Sequence, residues 1–256
     1  MMRDKIIRFL NNQLNVNEID DQSVNGIQVD GSRYVNRVLT AVDADINSIK
    51  RAVELNVNLM IVHHGLFWKK NEVIIGPLYE KVALLIKHNV SLYAVHLPLD
   101  IHEEFGNNIQ IVKALALRNI SKFAECRGLF LGYSGEVELS NIGSFKSFVE
   151  ESLNTKIKLF NFGSKEVKKV GVVSGAGGFS VSLAPQYGVD TIITGEASYP
   201  EILLARDLGI NLMLAGHYET EVFGVRAIAN KLNTLFGPDG LSVEFYESNS
   251  NKNFQV

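Results

Sequence analysis

Apolar positions along the chain follow two patterns, a period of three to four residues in some segments and short continuous runs in others. The helical period occurs at residues 3–13, 46–56 and 78–89. The apolar runs, which are typical of buried strands, lie at residues 38–42, 57–62 and 90–95. Because these runs alternate with the helical segments, the first half of the chain is predicted to form a mostly parallel α/β sheet.

The same alternation continues through the second half. Strand-like runs occupy residues 135–141, 156–163, 167–175, 189–196, 210–216 and 241–248. Helical segments occupy residues 142–154, 180–188 and 200–209, and a long amphipathic stretch runs from Tyr218 to about Phe236. Ser144 is a candidate N-cap of the first of these helices, and Gly188 is expected to end the second. The pattern predicts a second, similar α/β lobe.

No long linker or low-complexity segment separates the two halves. Residues 115–128 give the weakest pattern and are therefore the best candidate for a boundary. The polar tail, residues 249–256, is predicted to be frayed.

Composition narrows the class of protein. The 256 residues can bury a substantial core, and 46% apolar with 21% charged residues is ordinary for a globular chain. The net charge of -3 gives no attraction to nucleic acid or to an anionic membrane. A single cysteine, Cys126, excludes an intramolecular disulfide and fits a reducing compartment. The apolar run at the start is too short for a signal sequence or a membrane span, so a cytoplasmic protein is expected.

Candidate ligands follow three of the predicted strands at the point where each ends. They are Asp43 and Asp45, then His63 and His64, then His96 and Asp100. In α/β sheets the carboxyl ends of strands converge on the ligand crevice, so these groups are expected to lie near one another. Adjacent strand residues point to opposite faces, and the two histidines can share a site only if the chain turns there, as Gly65 would permit.

A further pair, His217 and Glu221, begins the last predicted helix four residues apart, so both side chains share one face. The predicted ligands among these candidates are three imidazoles and two carboxylates, namely His63, His64, His217, Asp100 and Glu221. Such a set suits borderline divalent ions such as Zn, Fe, Mn or Co. Five ligands exceed the three that one catalytic zinc needs and are about right for two metals with a bridging carboxylate.

Each of these signals also has an ordinary structural interpretation. Adjacent histidines at a strand end are often incidental, and His217 with Glu221 could be a surface contact at a helix start. Asp100 could cap the following turn. His96, two residues before Pro98, is interpreted as a neighbour of the ligands and a candidate proton shuttle.

Other polar and aromatic positions stay open between two roles. The glycine loop 175–178 could cradle a phosphate, but it lacks the residues of a P-loop and is better explained as a tight strand-to-helix turn. Glu196 could line a pocket or cap the next helix. Asn25 and Gln28 could face a substrate or bind loop backbone. Three aromatic residues could form a wall of the site or pack in the core: Trp68, Phe67 and Phe179. Two further histidines, His88 and His102, are expected at the surface or in loops.

Five motifs, in this order, resemble the NIF-three-like family, whose members are often labelled GTP cyclohydrolase I type 2 homologs. They are "SVNGIQVDG", "VHHGLFW", "VHLPLD", "ITGEAS" and "GHYETEVFGV", and they span nearly the whole chain. Many members have proline where this chain has Gly65, which changes loop stiffness but no ligand. Longer members carry an inserted domain for which 256 residues leave no room.

The resemblance implies a fold of two interlocked three-layer α/β lobes with mostly parallel or mixed sheets. Residues 1–123 with 217–256 would form the first lobe, because the closing helix and strand return to it, and residues 124–216 the second. The resemblance also implies a centre of two divalent transition-metal ions (Zn, Fe or Mn) and a toroidal homohexamer, a trimer of dimers. The implied metal ligands are His63, His64, Asp100, His217 and Glu221.

Two functions are consistent with this resemblance. The first is a metal-dependent hydrolase acting on a nucleotide such as GTP, or on a phosphoester. The sequence shows no obvious triphosphate clamp, which weakens the GTP assignment. The second is a non-catalytic ring that binds metal or a regulatory partner. Nucleic acid passing through the ring is not expected, because the net charge is negative.

Overall fold

The computed structural model describes residues 1–70, 72–248 and 251, so all of the predicted tail but residue 251 lies outside the described residues. The chain divides into two compact units. Unit 1 comprises Met1–Leu99 with Gly224–Asn249, and unit 2 comprises Asp100–Phe223. Both units are α/β, which confirms the predicted fold class. Among the described residues, no helix is long and apolar enough to span a bilayer.

Unit 1 contains a sheet in the order β1-β4-β3-β2-β11. Neighbouring strands are parallel except for β1, which runs antiparallel to β4. The strands are β1 (Gly26–Val29), β2 (Arg37–Asp43), β3 (Leu59–His64), β4 (Ser91–Ala94) and β11 (Ser242–Phe245). The helices that begin in this unit are α1 (Arg3–Leu14), α2 (Ile46–Glu54), α3 (Gly76–Lys87) and α4 (Leu97–Asp100).

Unit 2 contains a mixed sheet in the order β5-β6-β8-β9-β10-β7. Its centre, β8-β9-β10, is parallel, and the outer pairs are antiparallel. The strands are β5 (Arg118–Cys126), β6 (Leu129–Asn141), β7 (Lys158–Phe160), β8 (Glu166–Val173), β9 (Thr191–Thr194) and β10 (Asn211–Leu214). The helices are α5 (Asn107–Ala114), α6 (Ile142–Leu153), α7 (Tyr199–Leu208) and the start of α8 (His217–Phe236), with 3₁₀ turns at Gly177–Ser182 and Ala184–Tyr187.

Burial on both faces explains why the central strands read as continuous apolar runs. In β9, Ile193 belongs to one buried cluster and its neighbour Ile192 to another. Met213 and Leu212 of β10 divide between the same two clusters. Since successive strand residues point to opposite faces, both sides of the unit 2 sheet are covered.

The predicted boundaries at residues 123 and 217 differ from the observed division, which places residues 100–123 and 217–223 in unit 2. Ile111 and Val112 of α5 pack in a unit 2 core cluster, and β5 pairs antiparallel with β6 through residue 126. The weak pattern at 115–128 is therefore mostly a strand and not a boundary. On the other hand, β11 pairs in parallel with β2, as the resemblance implied for the closing strand.

Two local predictions were wrong. Ser144 does not cap α6, because the helix begins at Ile142 and the side chain of Asn141 accepts the Gly143 N–H. Residues 180–188 do not form an α-helix. They form parts of two 3₁₀ turns, the second of which contains a proline and ends, as expected, at Gly188 in a left-handed conformation.

Candidate metal centre

Two neighbouring imidazoles lie at the carboxyl end of β3. The β2–β3 register pairs Asp43 with His64, and the Asp43 carboxylate accepts a hydrogen bond from His64 Nδ1 at 2.8 Å. His63 is fully buried, and its Nδ1 lies 3.0 Å from the Val95 carbonyl oxygen. The two ring centroids are 4.7 Å apart. The strand end thus brings together two adjacent side chains that would otherwise diverge.

The partners of the two rings determine where their protons lie. A backbone carbonyl and a carboxylate only accept, so Nδ1 carries the proton in both His63 and His64. In the neutral form of either ring, the lone pair is then on Nε2. An imidazole whose Nδ1–H binds a carboxylate or a carbonyl is the usual arrangement of a metal-ligating histidine.

His96 follows β4 and completes a group of three imidazoles. Ligand atoms of His63, His64 and His96 lie within 4.8 Å of one another, close enough to hold one metal ion. The ring of His96 lies 5.0 Å from that of His63 and 5.1 Å from that of Trp68, centroid to centroid. Trp68 therefore borders this histidine group, one of the two roles that the sequence left open for it.

Asp21 fixes the orientation of His96 and was not identified from the sequence. Its carboxylate accepts from His96 Nδ1 at 3.0 Å, from the Leu97 N–H and from the Asn25 amide. Burial alone would raise the pKa of Asp21, but the hydrogen bonds and the charge of His96 outweigh it and hold the pKa well below its ordinary value. Asp21 is therefore an ionised, buried partner of His96.

Unit 2 supplies a second set of candidate ligands at the start of α8. His217 Nε2 lies 3.2 Å from Glu221 Oε1, and His217 Nδ1 lies 3.1 Å from Glu196 Oε1. Glu221 is 3% exposed, so its charge is largely removed from solvent. Glu196 therefore contacts His217 at the ring nitrogen opposite Glu221. It does not cap α7, because Ser198 and Glu201 form the capping box there.

These two carboxylates keep His217 protonated. Burial lowers the pKa of the imidazole, but the hydrogen bonds and charges of Glu221 and Glu196 together raise it to about 9. Both ring nitrogens thus donate in the metal-free protein. A metal at Nε2 would displace one proton and take its place between His217 and Glu221.

Asp100 lies next to a glycine turn in unit 2. Its Oδ1 accepts from the Asn107 amide at 2.9 Å and from the Ser174 hydroxyl at 3.1 Å. The next residue, Gly175, has φ +59°, and a Cβ there would overlap Glu221 and lie 3.2 Å from His217 Nε2. The turn therefore requires glycine for its backbone and leaves room beside the candidate ligands. This supports the turn interpretation of the 175–178 loop over the phosphate cradle.

The other candidate polar residues have structural roles. Asp45 caps α2 by accepting from the N–H groups of Asn47 and Ser48, and is not placed as a ligand. Gln28 binds loop backbone, since its oxygen accepts from the N–H groups of Leu66 and Phe67.

Gly65, the residue after β3, packs closely against Gln28. It has no positive φ, and a Cβ there would overlap the Gln28 amide. Asn25 also binds loop backbone, because its oxygen accepts the His96 N–H at 2.8 Å. Phe67 and Phe179 pack against core clusters. His88 is exposed at the end of α3, and His102 accepts two backbone N–H groups in a loop, as expected.

Comparison with known proteins gives consistent results. A family model described as Duf34/NIF3 (NGG1p interacting factor 3) matches residues 1–253. The chain is 39% identical over 239 residues to a GTP cyclohydrolase 1 type 2 homolog of Pyrococcus horikoshii, covering 93% of this chain and 95% of the relative. It also resembles a solved structure of protein ybgI, of unknown function, with a TM-score of 0.91, 33% identity, and coverage of 98% and 100% of the two chains. TTHA1606 from Thermus thermophilus gives a TM-score of 0.86 and 33% identity, over 97% and 98% of the two chains.

Proposed function

The chain belongs to the Duf34/NIF3 family, and we propose that it is a metal-dependent hydrolase with two divalent transition-metal ions. The proposed ligands are His63, His64, Asp100, His217 and Glu221. The substrate is a nucleotide or a related compound, as the name of the Pyrococcus horikoshii relative, GTP cyclohydrolase 1 type 2 homolog, suggests.

One observation carries the proposal: each proposed histidine ligand is held at Nδ1 by a protein acceptor. The acceptors are the Val95 carbonyl for His63, Asp43 for His64 and Glu196 for His217. This leaves Nε2 as the metal-binding atom in all three. Nitrogen and carboxylate donors together suit Zn, Fe or Mn, so the donor set fits the proposed ions.

A bound pair of divalent ions would acidify a water molecule and stabilise negative charge on the substrate. The chain's own contribution is orientation and proton transfer. His96 donates from Nδ1 to Asp21, so its Nε2 is the atom that accepts or delivers a proton. Asp21 stabilises the imidazolium form that His96 reaches during such a transfer, and Trp68 lies beside this ring at a centroid distance of 5.1 Å.

We also propose that the chain assembles into a homohexamer, a trimer of dimers. Large apolar side chains are exposed at Val73 (72%), Ile75 (69%) and Tyr79 (60%), as expected of a surface that another subunit covers. Light scattering would then give about 170 kDa, six times the chain mass of 28.4 kDa. A monomer mass would contradict the assembly without affecting the proposed ligands.

The test of the metal centre combines metal analysis with turnover. The purified protein is expected to hold two equivalents of metal per chain and to hydrolyse at least one of GTP, dinucleotides or phosphoesters with Mn, Zn or Fe. His64→Ala and Glu221→Ala should lose metal and turnover together. His88→Ala, which removes an exposed imidazole of unit 1, is the matched control and should change neither.

Two results would contradict the proposal in different ways. Full metal occupancy without turnover of any of these substrates would refute the hydrolase and favour a non-catalytic metal-binding or partner-binding ring. Unchanged metal content in both His64→Ala and Glu221→Ala would refute the ligand set itself.

A further inference from the structure

Three histidine rings of unit 1 lie around one point, although they come from two different strand ends. His63 and His64 end β3, and His96 follows β4, which pairs in parallel with β3. The centroid of the His63 ring lies 4.7 Å from that of His64 and 5.0 Å from that of His96, and the third pair is 5.7 Å apart. The ligand atoms of the three rings lie within 4.8 Å of one another. The proposed two-ion centre uses only two of these rings as ligands.

All three rings are held through Nδ1 by an acceptor that also belongs to unit 1. The acceptors are the Val95 carbonyl oxygen at 3.0 Å, Asp43 at 2.8 Å and Asp21 at 3.0 Å. Because an acceptor without a hydrogen fixes the proton on Nδ1, each neutral ring offers Nε2 as its ligand atom. His96 is therefore oriented in the same way as the two proposed ligands beside it.

The backbone of His96 is fixed as firmly as its ring. Asp21 lies in the loop between α1 and β1, and its carboxylate also accepts the Leu97 N–H at 2.9 Å and the Ser23 N–H at 3.2 Å. The Asn25 side-chain oxygen accepts the His96 N–H at 2.8 Å. Since ring and backbone are already ordered, little conformational freedom is lost when His96 binds an ion, which favours binding. The side chain of His96 is 22% exposed, so an ion can reach it.

The three rings form a donor set of nitrogen atoms only. Three imidazoles with a water molecule in the fourth position are a known set for zinc in proteins. Imidazole suits Zn²⁺, Cu²⁺ and Ni²⁺, whereas Mn²⁺ prefers carboxylate and water oxygens. The histidine group of unit 1 therefore favours Zn²⁺ over Mn²⁺ and needs no carboxylate from unit 2 to complete it.

We infer that the chain has a one-ion form in which His63, His64 and His96 bind a single zinc-like ion within unit 1. The inference rests on the proposed metal-dependent function, to which it adds a third imidazole ligand and an order of metal loading. A metal ion and a proton compete for the same Nε2 of His96, so this ring cannot transfer protons while it is a ligand. The one-ion form is therefore inactive, and turnover is expected to appear with the second equivalent of metal and not with the first.

The test titrates the metal-stripped full chain with Zn²⁺ in competition with a chromophoric chelator. The double variant His217→Ala/Glu221→Ala, which removes two proposed ligands of unit 2, should still bind one equivalent of Zn²⁺ as tightly as the first equivalent binds to the wild type. Mn²⁺ should not bind to this variant. Adding His96→Ala should weaken Zn²⁺ by more than about 100-fold, because a group that only orients a ligand contributes about 10–100-fold. Adding His88→Ala, which removes an exposed imidazole of unit 1, is the matched control and should change nothing.

A spectroscopic measurement separates a ligand from a structural residue. With one equivalent of Cu²⁺ per chain, pulsed electron paramagnetic resonance counts the imidazoles on the ion. It should find three in the wild type and three in the double variant. His96→Gln should reduce the count to two. Because the glutamine amide can still donate to Asp21, the unfolding midpoint of this variant should stay close to that of the wild type.

The outcomes distinguish this inference from the proposed function. Loss of Zn²⁺ binding in the double variant would overturn the inference and leave the two-ion centre standing. An imidazole count that is unchanged in His96→Gln would also overturn it, since His96 would then not be a ligand. A wild type that binds one equivalent through three imidazoles, with no second equivalent and no turnover, would support the inference and refute the two-metal hydrolase.

Discussion

Replacing Asp21 with asparagine tests whether this carboxylate holds the loop and His96 in place. Asp21 Oδ1 accepts from the Ser23 N–H at 3.2 Å and from His96 Nδ1 at 3.0 Å. Oδ2 accepts from the Asn25 amide and the Leu97 N–H, both at 2.9 Å. Asparagine has the same shape but replaces one oxygen with a donor.

The structure allows the cost to be worked out. If the amide oxygen of the new asparagine takes the place of Oδ1, its NH₂ group faces two donors that then lack an acceptor. Asp21 is 4% exposed, so solvent does not compensate. Each buried donor left unsatisfied costs about 1–3 kcal/mol, which gives a loss of roughly 2–6 kcal/mol in the free energy of unfolding.

Urea unfolding followed by circular dichroism measures this loss as a shift of the midpoint at constant slope. Asp20→Asn is the matched control, since its side chain is 89% exposed and an exposed ion pair contributes at most about 1 kcal/mol. Equal midpoints for wild type and Asp21→Asn would refute the role assigned to the carboxylate.

The stabilisation that Asp21 provides should also depend on pH. The pKa of Asp21 is below its ordinary value of 3.8, so the stabilisation is fully present above about pH 5. It is lost as the pH falls through the lowered folded-state pKa. The stability difference between wild type and Asp21→Asn should therefore be constant at neutral pH and narrow below about pH 4. A difference that grows on acidification would mean that the carboxylate is protonated in the fold.

Three further predictions concern the metal site. Asp43→Asn should weaken metal binding about 10–100-fold in a chelator competition, because His64 Nδ1 loses its carboxylate; Asp45→Asn, which alters only a helix cap, should not. Gly175→Ala should lower both the metal content and the unfolding midpoint, because the added Cβ would overlap Glu221. The control Gly188→Ala has φ +64° and open space around it, so it should lose only about 1–2 kcal/mol of stability from backbone strain and keep its metal. Because the pKa of His217 is raised to about 9, protons compete with the metal for this side chain. Metal affinity should therefore rise with pH up to about 9 and then level off. An affinity that does not depend on pH would contradict the assignment of His217 as a ligand.

The hydrophobic pattern of the sequence predicted the elements that are buried regularly along their length. The central strands β2, β3 and β4 are buried on both faces and read as apolar runs, and α1, α2 and α3 have a clear helical period. The strand β5 was missed because it lies at the edge of its sheet, where Arg118, Lys122 and Glu125 are exposed and interrupt the apolar signal. The cap of α6 was misplaced because Asn141 and Ser144 are both acceptable caps, and only the backbone conformation decides between them.

The candidate ligands were predictable because they stand next to strand ends and a helix start, but the groups that orient them were not. Asp21 lies 75 residues from His96 in the sequence, and nothing local distinguishes it from any polar loop residue. Glu196 was noticed, yet its contact with His217 depends on how β9 and α8 pack within unit 2. Hydrogen bonds between residues distant in sequence are set by the fold and leave no periodic signal.

Those orienting groups also bear on the simplest alternative to the proposed ligands, that the histidines are incidental. An incidental imidazole can bond through either ring nitrogen, and His102 accepts at Nδ1 from two backbone N–H groups. His63, His64, His96 and His217 instead all direct Nδ1 at an acceptor, and in the last three the acceptor is a carboxylate. Core packing does not require that Nδ1 donates to an acceptor from another segment at all four positions. This shared arrangement has a direct use in presenting Nε2 to a cation or to a transferring proton.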